Sequence, residues 1–292
     1  MDSNSFAIVT PSFLPDIERC AFLAESIDRN AIDMMHYLII DRRDVQHFRF
    51  LESARRKILI SEDLIGRWLT RLPGRRGWWV SLRTPPVRGW ILQQLLKISV
   101  ATEVTETTLI FCDSDTAFVR PFSGANLMID GRIGLLDVAF QNRDIVRWAR
   151  ISRKILGLPM ENASGDRGHV GNMICWDRAT AIAMREHIAR VHRLPWQIVL
   201  ARCPTFSEYM LYGTFVREFL GYDATNHAPS DRPLVKANWG QPICDGPSAS
   251  QFVSAIAPEA VAIMIHSKDG SNLHHVRDAV RQRWSVKTPA MT

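Results

Sequence analysis

Two carboxylates one residue apart, Asp113 and Asp115, follow the apolar run TTLIFC without a break. If the chain turns there, both can face a divalent cation, and hard Mg²⁺ or Mn²⁺ prefers oxygen ligands, commonly shared with substrate phosphates. Such a cation neutralises charge developing on a phosphate leaving group. Acidic residues also cap helices and close turns, so the position at a strand end is what points to metal binding. A second apolar run, AVAIMIH (260–266), ends in the polar residues His266 to Gly270. Beside the first run, His266 offers a nitrogen ligand and Lys268 a positive charge for phosphate. The plain alternative is a satisfied structural histidine.

The elements that must position these residues can be read from periodicity. FAIVT (6–10) and MMHYLIID (34–41) are short apolar runs, and between them Ile17, Cys20, Ala21, Ala24 and Ile27 recur at helical spacing, which predicts strand, helix, strand. RKILI (56–60) adds a strand, and GWILQQLLKISVATEV (89–104) predicts a helix leading into a strand over 107–113. This alternation predicts an α/β fold with a doubly wound, mainly parallel sheet and helices on both faces. Ligands of such sheets bind beyond the carboxyl ends of the strands, the edge where Asp113 and Asp115 emerge. Neither GxGxxG nor GxxxxGK[ST] occurs, which excludes an ordinary dinucleotide or P-loop site.

The second half is less regular. It predicts a strand over 132–138, a helix over 142–156, a loop over 157–168 and a strand over 169–177. Helices from 178 and 207, a coil over 223–248, a strand over 260–266 and a last helix from 271 complete it. No linker separates the halves, so a single domain over 1–292 is expected.

The net charge of +6 is uneven: residues 42–97 hold thirteen Lys and Arg against four Asp and Glu. A basic region of this kind concentrates anionic partners such as nucleotides, phosphates or a membrane surface, and is equally the signature of a solvated face. Within it, RWLTRLPGRRGWWVSLRTPPVRGW (67–90) mixes Arg with Trp68, Trp78, Trp79 and Trp90, a combination suited to an anionic membrane interface or a sugar-stacking surface. Trp90 is expected to pack on the following helix and the remainder to be a mobile loop. No nucleic-acid recognition motif accompanies the charge, so nucleic acid is not an expected partner.

Five scattered cysteines without a CxxC pair suit reduced thiols better than a disulfide frame or a zinc site. No run of 18 apolar residues exists, and the opening MDSNSFAIVTPSF lacks a basic segment followed by an apolar stretch. The expectation is a cytoplasmic protein, at most peripheral at the inner membrane face.

Taken together, IVTPSF, IID (39–41), QQLLK (93–97), FCDSDTAFVRPF, GNMICWD, SEYMLYG and IHSKDG resemble a GT-A glycosyltransferase, and more narrowly a bacterial glycosyltransferase-like family of poorly defined function. The likeness covers most of the chain. It implies a transferase that moves a sugar from a nucleotide diphosphate, UDP-sugar first, to a sugar or glycolipid acceptor with Mn²⁺ or Mg²⁺ as cofactor, in cell-surface polysaccharide or glycolipid synthesis. It further implies a nucleotide-binding half over 1–122, an irregular acceptor-side half over 123–270, and a C-terminal helix and tail over 271–292.

By motif position, Thr10 and Pro11 would border the base, Asp41 the base or ribose, and Lys97 the ribose or diphosphate. Asp113, Asp115 and His266 would hold the metal, with Lys268 on the diphosphate. His266 and Lys268 resemble a His-x-x-Gly-x-x-Lys element, although here Lys follows His by two and Gly270 by four. Local alternatives exist for each: Pro11 ends a strand, Asp41 caps a helix, and Lys97 is a solvated helix residue.

Glu208 is the expected general base of an inverting transfer, or else a first-turn acid behind the cap Ser207. Tyr209 and Tyr212 would flank a sugar or sit in the core. In HVGNMICWD, Gly171 would permit close approach to a sugar, with Asn172 or Asp177 bonding its hydroxyls near His169. Asp177 capping the helix from 178 is the competing reading. LIFCDSDT also resembles the haloacid-dehalogenase phosphatase signature, except that Thr116 comes one place early and Ala117 fills the expected slot. A non-catalytic carbohydrate-binding module on the same fold is the third reading.

Overall fold

The computed structural model describes residues 4–75, 77–139, 142–160 and 167–285. Its centre is a five-stranded sheet. Strands Phe6–Pro11, Met35–Ile40, Arg56–Ile60 and Thr108–Phe111 are mutually parallel, and Ile174–Asp177 closes one side antiparallel to Thr108–Phe111. The α/β class and the mainly parallel sheet expected from the sequence are those observed. The parallel strands are near-continuous apolar runs because they are covered on both faces.

Strand order fixes where a ligand can enter. From Phe6–Pro11 the chain winds outward through Met35–Ile40 to Arg56–Ile60. It then returns to place Thr108–Phe111 on the other side of Phe6–Pro11. The winding reverses between these two strands, and a crevice opens beyond their carboxyl ends at such a switch point. Asp113 and Asp115 lie at that opening.

Helix Ile17–Asn30 packs one face with Phe22, Leu23 and Ile27 among its buried residues. Helix Gly89–Ser99 packs the other, and Ile91, Leu92, Leu95 and Ile98 join a cluster with Phe111, Trp176 and Tyr212. A second sheet, in which Val235–Asn238 runs parallel to Ala262–Ile265 and the latter pairs antiparallel with Thr116–Phe118, continues directly from the carboxylate loop. A third joins His227–Ser230 and Arg132–Leu136 with Met128–Ile129. Asp130 and Gly131, at φ 49° and 77°, make the two-residue turn of its hairpin.

The structure departs from the sequence reading in three places. Residues 67–90 form a three-stranded antiparallel ribbon (Thr70–Arg71, Trp78–Val80, Val87–Arg88) instead of a loop. Arg71 over Trp79 (4.7 Å) and Arg88 over Trp78 (5.3 Å) hold it by cation–π contact. Trp90 packs on Trp148 of helix Arg143–Leu156, with ring centroids 6.0 Å apart. The coil expected over 223–248 contains strands His227–Ser230 and Val235–Asn238. Each is short and lies at a sheet edge, and the first carries Pro229, so local pattern could not announce them. The strand expected over 169–177 shrinks to Ile174–Asp177 because Met173 takes φ 59° and breaks the extended run.

All five cysteines are free. Among the described residues no helix is long and apolar enough to cross a membrane. Residues 161–166, within the loop expected over 157–168, and residues 286–292, within the expected C-terminal helix and tail, lie outside the described residues.

Candidate active site

Strand Thr108–Phe111 alternates its side chains between the two faces of the sheet, which sends Asp113 toward helix Gly89–Ser99. There it meets Lys97. The Lys97 ammonium lies 3.2 Å from Asp113 Oδ1 and 3.2 Å from Glu208 Oε1, and donates to Tyr209 Oη at 2.8 Å. Three donors thus have three partners. Burial acts to lower the pKa of Lys97, but Asp113, Tyr209 and Glu208 outweigh it and hold the group protonated, well above its ordinary value. Lys97 is 3% exposed, so it lies beneath Asp113 and is not a solvated helix residue.

Glu208 opens the helix Glu208–Thr214, whose cap Ser207 accepts from the Met210 N–H at 3.3 Å. Its own N–H donates to Gln94 Oε1 at 3.0 Å, which docks this helix on Gly89–Ser99. Burial pushes the Glu208 carboxyl up, against the pull of Lys97. Tyr209 is buried with its ring 4.6 Å from the Lys97 ammonium. The expected base and the expected sugar-flanking tyrosine are therefore joined beneath Asp113 in one ionic network.

Asp115 faces the other way. Burial first and Asp113 second push it up to about 7, with Arg19 pulling it down. Asp16, just past the end of Phe6–Pro11, is also raised by burial, against Arg19, a hydrogen bond from Ser114 and the charge of Lys268. Arg19 is fixed by donating to Ile265 O at 3.0 Å. Neither Asp16 nor Arg19 stood out in the sequence; the signal was their place directly after the first strand, at the edge where ligands enter.

Among the described residues no group of three or more His, Cys, Asp or Glu side chains converges to hold a metal ion. His266 comes to the same edge, since Ile265 N–H donates to Asp115 O at 3.0 Å. Its ring lies against Trp239 (centroids 5.4 Å apart) and does not complete a ligand set with Asp113 and Asp115. The three-ligand set expected from the sequence is thus not preformed. What the carboxylates do fit is a cation that arrives with its phosphates: Mg²⁺ commonly takes one or two carboxylates and fills its shell with phosphate oxygens and water. Burial first, and the neighbouring Asp113 second, raise Asp115, and a cation at this edge would offset both.

The other expected residues divide. Asp41 is at the edge and ion-paired to Arg71 of the ribbon. Lys268 is exposed there, and Pro11 is buried at its strand end. Asn172 precedes the strand whose Ile174 pairs with Phe111, which brings it to the edge as well.

Thr10 does not present its hydroxyl. It is fully buried and accepts from His36 Nε2 at 3.1 Å, while His36 Nδ1 accepts from Arg56 at 2.8 Å. Burial and the Arg56 charge keep His36 neutral. Asp177 lies at the opposite edge, paired with Thr108, and caps helix Arg178–His192 by accepting from Thr180 N–H at 2.7 Å. It sits at the end of the strand away from Asp113. Tyr212 is also there, donating to His227 Nε2 at 2.6 Å. His169 is buried, bonds Leu136 O at 2.7 Å, and packs so closely on Gly213 that any Cβ there would collide with its ring.

Fold and site together define an α/β protein with a pair of carboxylates at the switch point of a mainly parallel sheet. Residues 6–233 match a family of unknown function, DUF6492, and the chain belongs to that family. No curated protein matches it. Among solved structures it is similar to the galactosyltransferase LgtC in complex with donor and acceptor sugar analogs, at 9% identity and a TM-score of 0.45 over 97% of this chain and 98% of that one. It is similar to the bifunctional glycosyltransferase WbbM at 10% identity and a TM-score of 0.49, over 99% of this chain and 50% of that one. A third is the glycosyltransferase GlyE of Streptococcus pneumoniae TIGR4, at 11% identity and a TM-score of 0.45, over 98% of this chain and 61% of that one. At such identities and TM-scores a likeness says nothing about activity.

Proposed function

We propose that the crevice binds a nucleotide diphosphate-sugar and transfers the sugar to a hydroxyl acceptor. One observation carries the reading: Asp113 and Asp115 stand at the carboxyl edge of the switch-point strand, the first held from beneath by Lys97. The motif resemblance supports the choice of sugar transfer over other phosphate chemistry.

In this reading Asp113 and Asp115 hold Mg²⁺ or Mn²⁺, which when bound neutralises charge on the departing diphosphate. Lys97 fixes the orientation of Asp113. Glu208 serves as the counter-ion that keeps Lys97 in place, in preference to the base expected from the sequence. Lys268 lies where it can meet phosphate oxygens, and Asp41, steadied by Arg71, where it can meet the ribose or base. Asn172 at the edge is available to sugar hydroxyls. Positioning and electrostatic stabilisation of the leaving group are the main contributions of the protein.

The acceptor-side partner we favour is a sugar or glycolipid at an anionic membrane surface on the cytoplasmic side. The ribbon supports this, with Leu82 fully exposed beside Arg83 at one tip. Failure to sediment with phosphatidylglycerol vesicles at low salt would remove the membrane part alone.

The experiment is a thermal-shift screen of UDP, GDP, CDP and ADP with and without Mn²⁺, on wild type and Asp115→Asn. A ligand at 100 times its Kd stabilises by about 2.7 kcal/mol. A metal-dependent shift for one nucleotide, lost in the variant, is the expected result. Folded protein that responds to none would return the weight to a phosphatase or a carbohydrate-binding module.

A further inference from the structure

The edge that carries Asp113 and Asp115 also carries an aromatic pair, Trp239 and His266. Strands Val235–Asn238 and Ala262–Ile265 run parallel with Asn238 opposite Ile265. The second strand is tied to the carboxylate loop through Asp115 O. Each therefore releases its next residue at this edge, Trp239 from one and His266 from the other.

The indole is 66% exposed, with its ring tilted 37° against the imidazole at 5.4 Å. Its support is stiff. The Asn238 amide donates to Gln241 O at 2.8 Å and to Asp269 Oδ2 at 3.0 Å, and the Asp269 N–H donates to His266 O at 3.1 Å. A Cβ built on the following residue, Gly240, would meet nothing within 4 Å, so the loop borders open space. A rigidly mounted, solvent-open indole beside a polar crevice offers a broad apolar face with an N–H at its rim. That is the complement of a pyranose, whose axial C–H groups form an apolar face ringed by hydroxyls.

We propose that Trp239, backed by His266, is the platform on which a pyranose ring stacks beside the Asp113 and Asp115 carboxylates. The proposal rests on the transfer reading for why a sugar comes to this edge. The ring belongs either to the donor or to the acceptor, and the test separates the two.

Iodide quenching of tryptophan emission in the full chain is the readout, and Trp239→Phe first defines the share of quenching that belongs to this indole. The probes are the methyl glycosides of glucose, galactose and mannose, then UDP-glucose and UDP-galactose, with UDP alone as control. At least one sugar probe is expected to shield Trp239 while UDP alone does not. Titration calorimetry, which does not need the indole as reporter, should show that Trp239→Ala weakens that probe about 5- to 10-fold, and Trp239→Phe less. Shielding by a glycoside assigns the acceptor, and shielding by a UDP-sugar assigns the donor. Shielding by UDP alone, or by no probe, overturns the platform. If the platform fails while nucleotides still raise the Tm of Trp239→Ala, the transfer reading stands; if nucleotides do nothing to folded wild type, that reading has failed separately.

Discussion

The two ends of strand Thr108–Phe111 each meet a cluster of carboxylate, tyrosine and a basic side chain, yet the clusters are built in opposite senses. At the amino end, Asp177 caps a helix, Tyr212 donates to His227 Nε2, and His227 Nδ1 bonds Ile133 O at 3.1 Å. Burial pushes His227 down to about 4, so it is neutral, and Tyr212 stacks on Trp176 with centroids 4.6 Å apart. At the carboxyl end, Asp113 keeps a side chain that is 47% exposed although Lys97 beneath it is buried, and Asp115 is raised by burial and like charge. At the amino end the polar groups close on one another and His227 is neutral. At the carboxyl end Asp113 stays accessible, with a buried Lys97 placed behind it.

The sharpest way to break this contrast is to remove the hidden partner. Lys97→Met leaves Glu208 buried without its counter-ion and should cost about 3–5 kcal/mol in urea unfolding. Adding Glu208→Leu should recover part of the loss. A cost under about 1 kcal/mol would mean that Lys97 does not hold the network together.

Asp115 supplies the next test. Its folded pKa is raised from 3.8 to about 7, so the folded state binds the proton more tightly. Its contribution is fully present below about pH 4 and is lost as pH rises through 7. Buried His36, His169 and His227, all lowered, act in the opposite sense. The informative quantity is therefore the Tm of Asp115→Asn minus that of wild type, which should grow from pH 4 to pH 8. A flat difference would show that Asp115 is not raised by its buried surroundings.

At the other end, Tyr212→Phe leaves His227 Nε2 with only the 3.4 Å Asp177 N–H and should cost about 1–3 kcal/mol, without altering any nucleotide-induced shift. The smallest effect belongs to the cap. Asp177→Ala should cost about 1 kcal/mol of helix stability and leave nucleotide response intact. Loss of that response would place Asp177 in the site after all and undo the contrast.

Much of the central sheet was legible because each buried parallel strand is an apolar run bounded by turn residues, and the carboxylate pair was legible because it interrupts one. Lys97, Glu208 and Tyr209 each stood out singly. That they form one unit did not, because Lys97 and Glu208 are far apart in sequence and meet only when Gln94 docks one helix on the other. Thr10 misled because a strand-end residue can turn inward to bond a buried histidine on the neighbouring strand. Asp177 misled for a related reason: its strand is antiparallel, so its carboxyl end lies at the amino edge of its neighbour.

The sequence by itself determined the α/β class, the parallel core, the place of Asp113 and Asp115 just past a strand end and the lack of a paired-cysteine motif. All of these follow from local periodicity and residue chemistry. Only the tertiary structure decided which charges are paired, which edge each acid occupies, and that His266 leans on Trp239. Those depend on strand direction and on contacts between residues distant along the chain, where burial and neighbouring charge set what each group can do.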